Sequence, residues 1–156
     1  EVDVTIRYQD GVQQVLLNGE DVSGLIRTEE VGNMASAVSG YMPVREKLVE
    51  LQKQLVAKEN VIMDGRDIGT CVLPDAPAKI YLTASVEVRA ARRYKELLEK
   101  GMKADLKEIE KDIEDRDYRD MHREHSPLKQ AEDAVLVDSS HMTIEEVVKA
   151  IVDLCK

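Results

Sequence analysis

The chain has 156 residues, 43% of them hydrophobic, which excludes a disordered composition and suits one domain, or one domain with a small satellite. Its net charge of −9 disfavours an extended nucleic-acid-binding surface, although six of its ten Arg lie between Arg89 and Arg123, a grouping that suits a small anion. No apolar run is long enough to span a membrane. Cys71 and Cys155 lie far apart in the sequence, and we expect both to be free thiols in a reducing compartment. We therefore expect a cytoplasmic protein without nucleic-acid or membrane partners.

The N-terminal segment has the pattern of a β-hairpin. Residues 2–8 alternate apolar and polar side chains, Asp10 and Gly11 form a turn signal, and residues 15–17 are apolar. This alternation predicts two antiparallel strands with one buried face. Residues 18–21 are predicted to close the hairpin as a turn.

A helical pattern follows from residue 29 to residue 57, and it is interrupted once, near residues 40–43. After the interruption the apolar residues recur at the spacing of one helix face, which predicts a helix with a single apolar stripe. The stripe consists of Val44, Leu48, Leu51 and Leu55.

The remainder of the chain alternates short apolar runs with helical patterns. The predicted strands are residues 61–63, 79–82 and 134–137. The predicted helices run from Ser85 to about Lys100, from about residue 104 to Arg123, and onward from Thr143. Short apolar strands that alternate with helices predict an α/β fold with a parallel sheet covered on both faces.

Residues 64–70, Asp-Gly-Arg-Asp-Ile-Gly-Thr, follow the first of these predicted strands. Asp64, Arg66 and Asp67 therefore stand at the carboxyl end of a strand, where open α/β sheets place their ligands. A plain turn, in which Arg66 pairs with a neighbouring Asp, explains the same spacing equally well.

Two further groups of charged residues lie on predicted helices. Arg116, Asp120 and Arg123 stand at i, i+4 and i+7, so both guanidinium groups of this helix face could grip an anion while Asp120 fixes them. A solvated charged face is the alternative there, as it is for the arginines of the preceding helix. Those are Arg89, Arg92 and Arg93. His122 and His125 lack a nearby third ligand, and no metal site is predicted.

Several separate stretches together resemble bacterial cytidylate kinase, in order and at familiar separations. They are residues 18–23, 26–28, 44–46, 64–70, 74–76 and 116–120. The resemblance implies a P-loop nucleoside monophosphate kinase, which transfers a phosphate from ATP, with Mg²⁺, to CMP or dCMP. The implied fold is an α/β core with a parallel sheet and an inserted monophosphate-binding domain that carries antiparallel strands.

The resemblance also implies a division of the chain. Residues 1–57 correspond to the monophosphate-binding domain and residues 58–156 to part of the kinase core, with a mobile lid at about residues 101–126. The intact enzyme is expected to be a monomer in pyrimidine nucleotide metabolism.

By the same resemblance, individual positions acquire roles. Ser36, Arg45 and Asp67 match the positions that read cytosine, because carboxylate and hydroxyl oxygens accept from its exocyclic amine and Arg45 donates to its carbonyl and ring nitrogen. Arg66, Arg116 and Arg123 match catalytic positions at the phosphates, and Asp120 lies beside them. Asp64 is expected near the substrate phosphates, where it could hold Mg²⁺ through water. Arg92 and Arg93 are assigned to ATP.

One feature of the family is missing from these 156 residues: the glycine-rich loop that ends in Gly-Lys-Ser/Thr and holds the ATP phosphates. The chain begins at Glu1 rather than Met, and we expect an N-terminal truncation, an inactive chain, no tightly held cofactor, and self-association through exposed sheet edges. Two alternatives stay open: a fragment that only binds a cytidine monophosphate or an anion, and a kinase for another nucleoside monophosphate.

Overall fold

The computed structural model describes residues 2–58 and 60–155, except for the side chains of Glu29, Asn33 and Ser36. The chain divides into two units, Glu1–Val61 and Ile62–Lys156. The first unit contains β1 (Val4–Gln9), β2 (Val12–Leu17), β3 (Glu20–Asp21), α1 (Glu29–Val38) and α2 (Met42–Val56). The second contains a π-helix (Ile68–Val72), β4 (Ile80–Thr83), α3 (Val86–Glu99), α4 (Leu106–His122), β5 (Val135–Asp138) and α5 (Ile144–Leu154).

The predicted hairpin is present in the first unit. β1 and β2 pair antiparallel, from Val4 opposite Leu17 to Gln9 opposite Val12. Asp10 and Gly11 connect them with φ values of 52° and 77°. Two consecutive residues with positive φ make the turn whose twist matches that of paired strands, which explains why Asp-Gly is the signal at this position.

The prediction of a buried hairpin face is wrong. All six residues of β1 are exposed, and Ile6 and Tyr8 keep 40% and 71% of their surface in contact with solvent. The alternation sets which side chains share a face, but burial requires a second layer, and β1 and β2 make their main contacts with each other.

The segment predicted as a closing turn, residues 18–21, is a turn followed by a short third strand. Asn18 and Gly19 have φ values of 51° and 86°, and β3 then pairs with β2. Ser23 fixes the return of the chain, because its Oγ accepts from the Val15 N–H at 2.8 Å and donates to Asp21 Oδ1 at 2.6 Å. The hydrogen bonds from Ser23 hold the pKa of Asp21 below its ordinary value.

The predicted helix of residues 29–57 is two helices separated at the predicted interruption. Thr28 caps α1, since its Oγ1 accepts from the Val31 N–H at 3.3 Å. α1 ends at Val38, and α2 begins at Met42 with Pro43 in its first turn, where a missing N–H costs no helical hydrogen bond.

In the second unit, β4 and β5 pair in parallel, with Ile80 opposite Val135 and Thr83 opposite Asp138. α3 and α4 lie between them in the chain, as a parallel connection requires. The predicted helix starts are confirmed: Ser85 caps α3, and Thr143 and Glu146 form a capping box at α5. Gly101 follows α3 with φ 71°, the left-handed conformation that ends a helix.

The predicted strand of residues 61–63 is absent: these residues form neither helix nor strand, and Ile62 is fully exposed. An apolar run provides β propensity, but a strand also needs a neighbour for its backbone N–H and C=O groups, and neither described sheet includes this segment. The parallel sheet of the described residues therefore has two strands.

Burial on both faces of that sheet is also wrong as a prediction. Leu82 and Leu136 are 52% and 55% exposed, whereas Val137 is 8% exposed. The buried apolar residues of the described chain are Ala or Val, and all of them lie in this unit: Val72, Ala84, Ala90 and Val137. Within the described residues, no helix combines the length and the apolar character needed to cross a bilayer.

Candidate functional site

Two ion pairs connect the loop of residues 64–70 to the C-terminal end of α4. Arg66 Nε donates to Asp120 Oδ2 at 2.7 Å. Arg123 Nη2 lies 3.9 Å from Asp67 Oδ1. The Asp67 and Asp120 side chains are only 12% and 14% exposed, whereas Arg66 is 44% exposed, so water screens the Arg123–Asp67 pair less than the Arg66–Asp120 pair. We call these four residues the Arg–Asp cluster; all of them were predicted as site residues.

The loop side of the cluster is held by its backbone. The Asp67 carbonyl accepts from the Cys71 N–H at 2.8 Å, and the Ile68 carbonyl accepts from the Leu73 N–H at 2.7 Å. The second of these spans five residues and defines a π-helix, a form that is rare and often found at functional sites. A Cβ at Gly65 would lie 2.8 Å from Ile68 Cγ1, so glycine permits the close approach of the chain before Arg66.

Arg123 lies just beyond α4 rather than within it. The helix ends at His122, and Arg123 is extended, with φ −64° and ψ 143°. The predicted helical face of Arg116, Asp120 and Arg123 is therefore wrong at its last member, because the helix stops one residue too early. Arg123 reaches the cluster from the helix end instead, where its Nε donates to the Ser126 carbonyl at 2.6 Å.

The terminal nitrogen Nη2 of Arg123 is a hydrogen-bond donor whose partner is missing from the described residues. Nη2 is buried and has no hydrogen-bond acceptor among the described residues. A buried donor left without an acceptor costs about 1–3 kcal/mol, so this nitrogen is suited to an anionic oxygen. An arginine held by one carbonyl and facing a carboxylate at 3.9 Å is thus a fixed cation with unused capacity.

Two predicted residues do not join the cluster. Arg116 and Asp64 are both exposed, and no described hydrogen bond or ion pair connects either side chain to the four residues. Their predicted roles at the substrate phosphates stay predictions.

The two arginines assigned to ATP are engaged elsewhere in this structure. Arg92 donates to Ser139 through Nη2 to the carbonyl at 2.7 Å and through Nη1 to Oγ at 3.3 Å. Arg93 pairs with Glu96 on its own helix at 2.9 Å, with both side chains largely exposed. ATP binding by these residues stays a prediction.

The residues predicted to read cytosine are divided between the two units. Arg45 is half-buried in the first turn of α2, where its N–H donates to the Tyr41 carbonyl at 3.0 Å. The side chain of Ser36 lies outside the described residues. Asp67 belongs to the second unit and is described there as part of the Arg–Asp cluster, so the trio as a base-reading set stays a prediction.

An interhelical pair was missed from the sequence. Arg89 on α3 makes a bidentate contact with Asp117 on α4, Nη1 to Oδ1 at 3.1 Å and Nη2 to Oδ2 at 2.6 Å. The residues stand 28 positions apart on two helices that are both rich in charge, and no spacing rule pairs them. Only the packing of α3 against α4 brings them together.

We expect α4 to exchange its backbone amides faster than β4 in the absence of nucleotide. No side chain of α4 is fully buried, so little apolar contact opposes its opening, whereas β4 is paired with β5 along its whole length and leads into the buried Ala84. Hydrogen–deuterium exchange read by mass spectrometry should show residues 106–122 exchanging well before residues 80–83. Equal protection of the two segments would contradict the expectation.

Comparison with known proteins places these observations in a family. The sequence model of the family described as "Cytidylate kinase" matches residues 1–156. A protein named cytidylate kinase from Lactobacillus johnsonii is 54% identical over 151 residues, covering 97% of this chain and 66% of the relative. Cytidylate kinases from Listeria welshimeri and Streptococcus sanguinis are 51% and 53% identical over 152 and 150 residues, 97% and 96% of this chain and 68% and 67% of each relative.

The chain belongs to the cytidylate kinase family, a family of nucleoside monophosphate phosphotransferases. It spans about two thirds of the length of the curated relatives that it matches, 66% for the Lactobacillus johnsonii protein. The family resemblance drawn from the sequence motifs is confirmed. The α/β character is confirmed as well, with a small antiparallel sheet in one unit and a parallel sheet in the other.

Proposed function

We propose that this chain forms the monophosphate-binding part and the lid of a kinase that transfers the γ-phosphate of ATP to CMP or dCMP. The observation that carries the proposal is the Arg–Asp cluster, in which two ion pairs, each between an Arg and an Asp, join the loop of residues 64–70 to the end of α4. A phosphoryl-transfer site needs such fixed cations, because charge on the transferring group must be neutralised without reorganisation.

Each member of the cluster has a part in the proposal. Asp120 holds Arg66 by Nε, which leaves the terminal nitrogens of that guanidinium outside this hydrogen bond. Arg123 offers its buried Nη2. Together they can bind oxygens of the CMP phosphate while Asp120 and Asp67 fix their orientation. A phosphate oxygen of CMP is itself the nucleophile. It attacks the γ-phosphate of ATP in line, and ADP leaves. The reaction therefore needs neither a covalent enzyme intermediate nor a dedicated general base.

Mg²⁺ and ATP require donors of a different kind. Within the described residues, no group of three or more His, Cys, Asp or Glu side chains is placed to hold a metal ion. Mg²⁺ in kinases is commonly held by one or two carboxylates together with substrate phosphates, and the exposed carboxylate of Asp64 would hold the Mg²⁺ of ATP through water. Mg²⁺ enters the proposal only as part of the ATP substrate.

Base selection is proposed for residues of both units. Asp67 would accept a hydrogen bond from the exocyclic amine of cytosine, with Ser36 as a second acceptor and Arg45 as donor to the carbonyl and ring nitrogen. Uracil carries a carbonyl in place of the amine, and a carboxylate would repel it. On this basis residues 1–57 act as the monophosphate-binding domain, residues 58–156 as part of the core, and residues 101–126 as the lid.

The proposal is tested by a substrate panel. A full-length kinase that carries this chain together with a P-loop segment should phosphorylate CMP and dCMP with a higher kcat/KM than UMP or AMP. A coupled assay that detects ADP release measures all four substrates under the same conditions. Equal or greater efficiency with UMP or AMP would favour a kinase for another nucleoside monophosphate.

The alternative of a binding module without catalysis is separated by calorimetry. Titrations of the same full-length protein with CMP and with ATP should each release or absorb heat at a defined stoichiometry. Binding of CMP alone, without ATP binding and without turnover, would support the binding module and contradict the kinase.

A further inference from the structure

Outside the Arg–Asp cluster, α3 carries two arginines that contact the carboxyl ends of both parallel strands. Arg89 Nε donates to the carbonyl of Ala84, directly after β4, at 2.9 Å. Arg92 donates to the carbonyl of Ser139, directly after β5, at 2.7 Å. Ala84 and Ser139 are 6% and 5% exposed, so these contacts lie in the most buried part of the unit. α3 is therefore fixed to the sheet end at two points.

The two strand ends are also joined to each other. The Ser139 N–H donates to the Thr83 carbonyl at 2.8 Å, and Ser139 Oγ donates to the same oxygen at 3.0 Å. The Thr83 carbonyl thus accepts two hydrogen bonds from Ser139, and Arg92 binds the same serine. This network restricts the motion of the carboxyl ends of β4 and β5 relative to each other. We call these two connected strand ends the sheet end.

Arg89 connects α4 to the sheet end. While Nε binds the Ala84 carbonyl, Nη1 and Nη2 bind both carboxylate oxygens of Asp117 at 3.1 and 2.6 Å. The Arg89 and Asp117 side chains are 34% and 20% exposed, which limits screening by solvent. A bidentate contact fixes both the distance and the orientation of the two groups, whereas a single ion pair fixes mainly the distance.

Asp117 stands three residues before Asp120, so the two carboxylates lie close together on one face of α4. Asp120 receives Arg66 from the loop of residues 64–70 at 2.7 Å. One face of α4 is therefore held twice. Asp117 connects it to the sheet end through Arg89, and one turn later Asp120 connects it to the candidate site through Arg66. Rotation or sliding of α4 would have to break the bidentate contact before it moved Asp120.

We propose that Arg89 and Asp117 are positioning residues for nucleotide binding, which hold α4 so that Asp120 and Arg123 reach the loop of residues 64–70. This inference rests on the proposed function, since it assigns a role in the same site. Neither residue is assigned a contact with substrate; both act through α4.

The test uses Asp117→Asn, which removes the charge and keeps the shape, and Arg89→Lys, which keeps the charge and removes the planar fork. In a full-length kinase each should raise the KM for CMP by about fivefold, the size expected of a partly exposed ion pair. Hydrogen exchange of residues 106–122 should accelerate in both variants, while residues 80–83 keep their protection. Saturating CMP should restore the protection of α4, because the bound nucleotide replaces the lost restraint, and kcat should therefore fall less than kcat/KM.

Two further variants sharpen the comparison. Lys95→Ala removes a charge from α3, the helix that carries Arg89. The Lys95 side chain is 79% exposed and lies 3.8 Å from Glu99. This variant should change neither the KM for CMP nor the hydrogen exchange of α4. The double variant Arg89→Lys/Asp117→Asn should resemble Arg89→Lys, because that change already removes the contact with Asp117 together with the hydrogen bond to the Ala84 carbonyl.

The proposal is overturned if both single variants leave the KM for CMP and the exchange of α4 unchanged. It is also overturned if exchange accelerates equally in β4, α4 and α5, since that indicates general destabilisation. Absence of CMP turnover in the unmodified full-length protein would count against the proposed function instead. In that case α4 exchange, which needs no activity, still decides whether the pair positions the helix.

Discussion

Replacement of Asp67 by alanine in a full-length kinase is expected to lower the ratio of kcat/KM for CMP over UMP by about 100-fold. A site that hydrogen-bonds a polar group of its substrate discriminates strongly against an analogue that cannot pair, and the alanine variant loses this discrimination. Asp67 is well suited to the role because its side chain is only 12% exposed, so water does not replace the missing interaction freely. Initial rates with both nucleotides, measured over a range of concentrations, give the ratio.

The asparagine variant separates base reading from the ion pair with Arg123. Asp67→Asn and Asp67→Ala both remove the negative charge near Arg123 Nη2, and a purely electrostatic effect would be similar in both. Only asparagine offers an amide N–H that can donate to the uracil carbonyl, so it should shift preference further toward UMP. Asp153→Ala on α5 removes an acidic residue paired with Lys149 and serves as the matched control. An unchanged CMP-to-UMP ratio in both Asp67 variants would mean that this carboxylate does not read the base.

The 156-residue chain, assayed alone with CMP, ATP and Mg²⁺, is expected to show no turnover above the blank. The terminal phosphates of ATP need a cradle of backbone N–H groups and a lysine, and the sequence contains no Gly-Lys-Ser/Thr loop that supplies them. The Arg–Asp cluster provides charge for the acceptor phosphate and cannot replace that cradle. ADP release in a coupled assay is the measurement.

A folded sample is essential to this experiment. Circular dichroism should show the helical content of α1 to α5, and the full-length kinase at the same concentration gives the positive control. Turnover that rises with chain concentration and disappears in an Arg123→Ala variant would contradict the expectation, because activity would then come from this site and not from a contaminating kinase.

Local signals allowed much of the secondary structure to be predicted. Ser85 caps α3 and Gly101 ends it, while Thr143 and Glu146 open α5, and each of these acts through hydrogen bonds or φ values within a few residues. The hairpin turn at Asp10 and Gly11 is of the same kind. Such features are predictable because the sequence that determines them is contiguous.

Features that depend on distant partners could not be predicted in this way. Residues 61–63 have the composition of a strand but lack a described strand beside them, and the apolar side chains of β1 are exposed in the part of the chain that the structure describes. Periodicity indicates which side chains share a face, and it carries no information about what packs on that face.

The candidate site shows the same division. Arg66 and Asp120 are 54 residues apart. From spacing alone, Arg66 could equally belong to a plain turn and Asp120 to a solvated helix face. Family resemblance put both in one site, and the structure adds the contact between them. The position of Arg123 beyond the helix end was not predictable from i, i+4 and i+7 spacing, since that spacing assumes that the helix continues.

The π-helix of residues Ile68–Val72 has a consequence for how this loop can vary. A turn closed by the Leu73 N–H and the Ile68 carbonyl contains one residue more than an α-helical turn. Deletion of one residue between 68 and 72 could be absorbed as an ordinary turn, but it would rotate everything before it by about 100°. Arg66 would then point away from Asp120. The length of this single turn, as much as its composition, sets the direction in which the loop presents its charge.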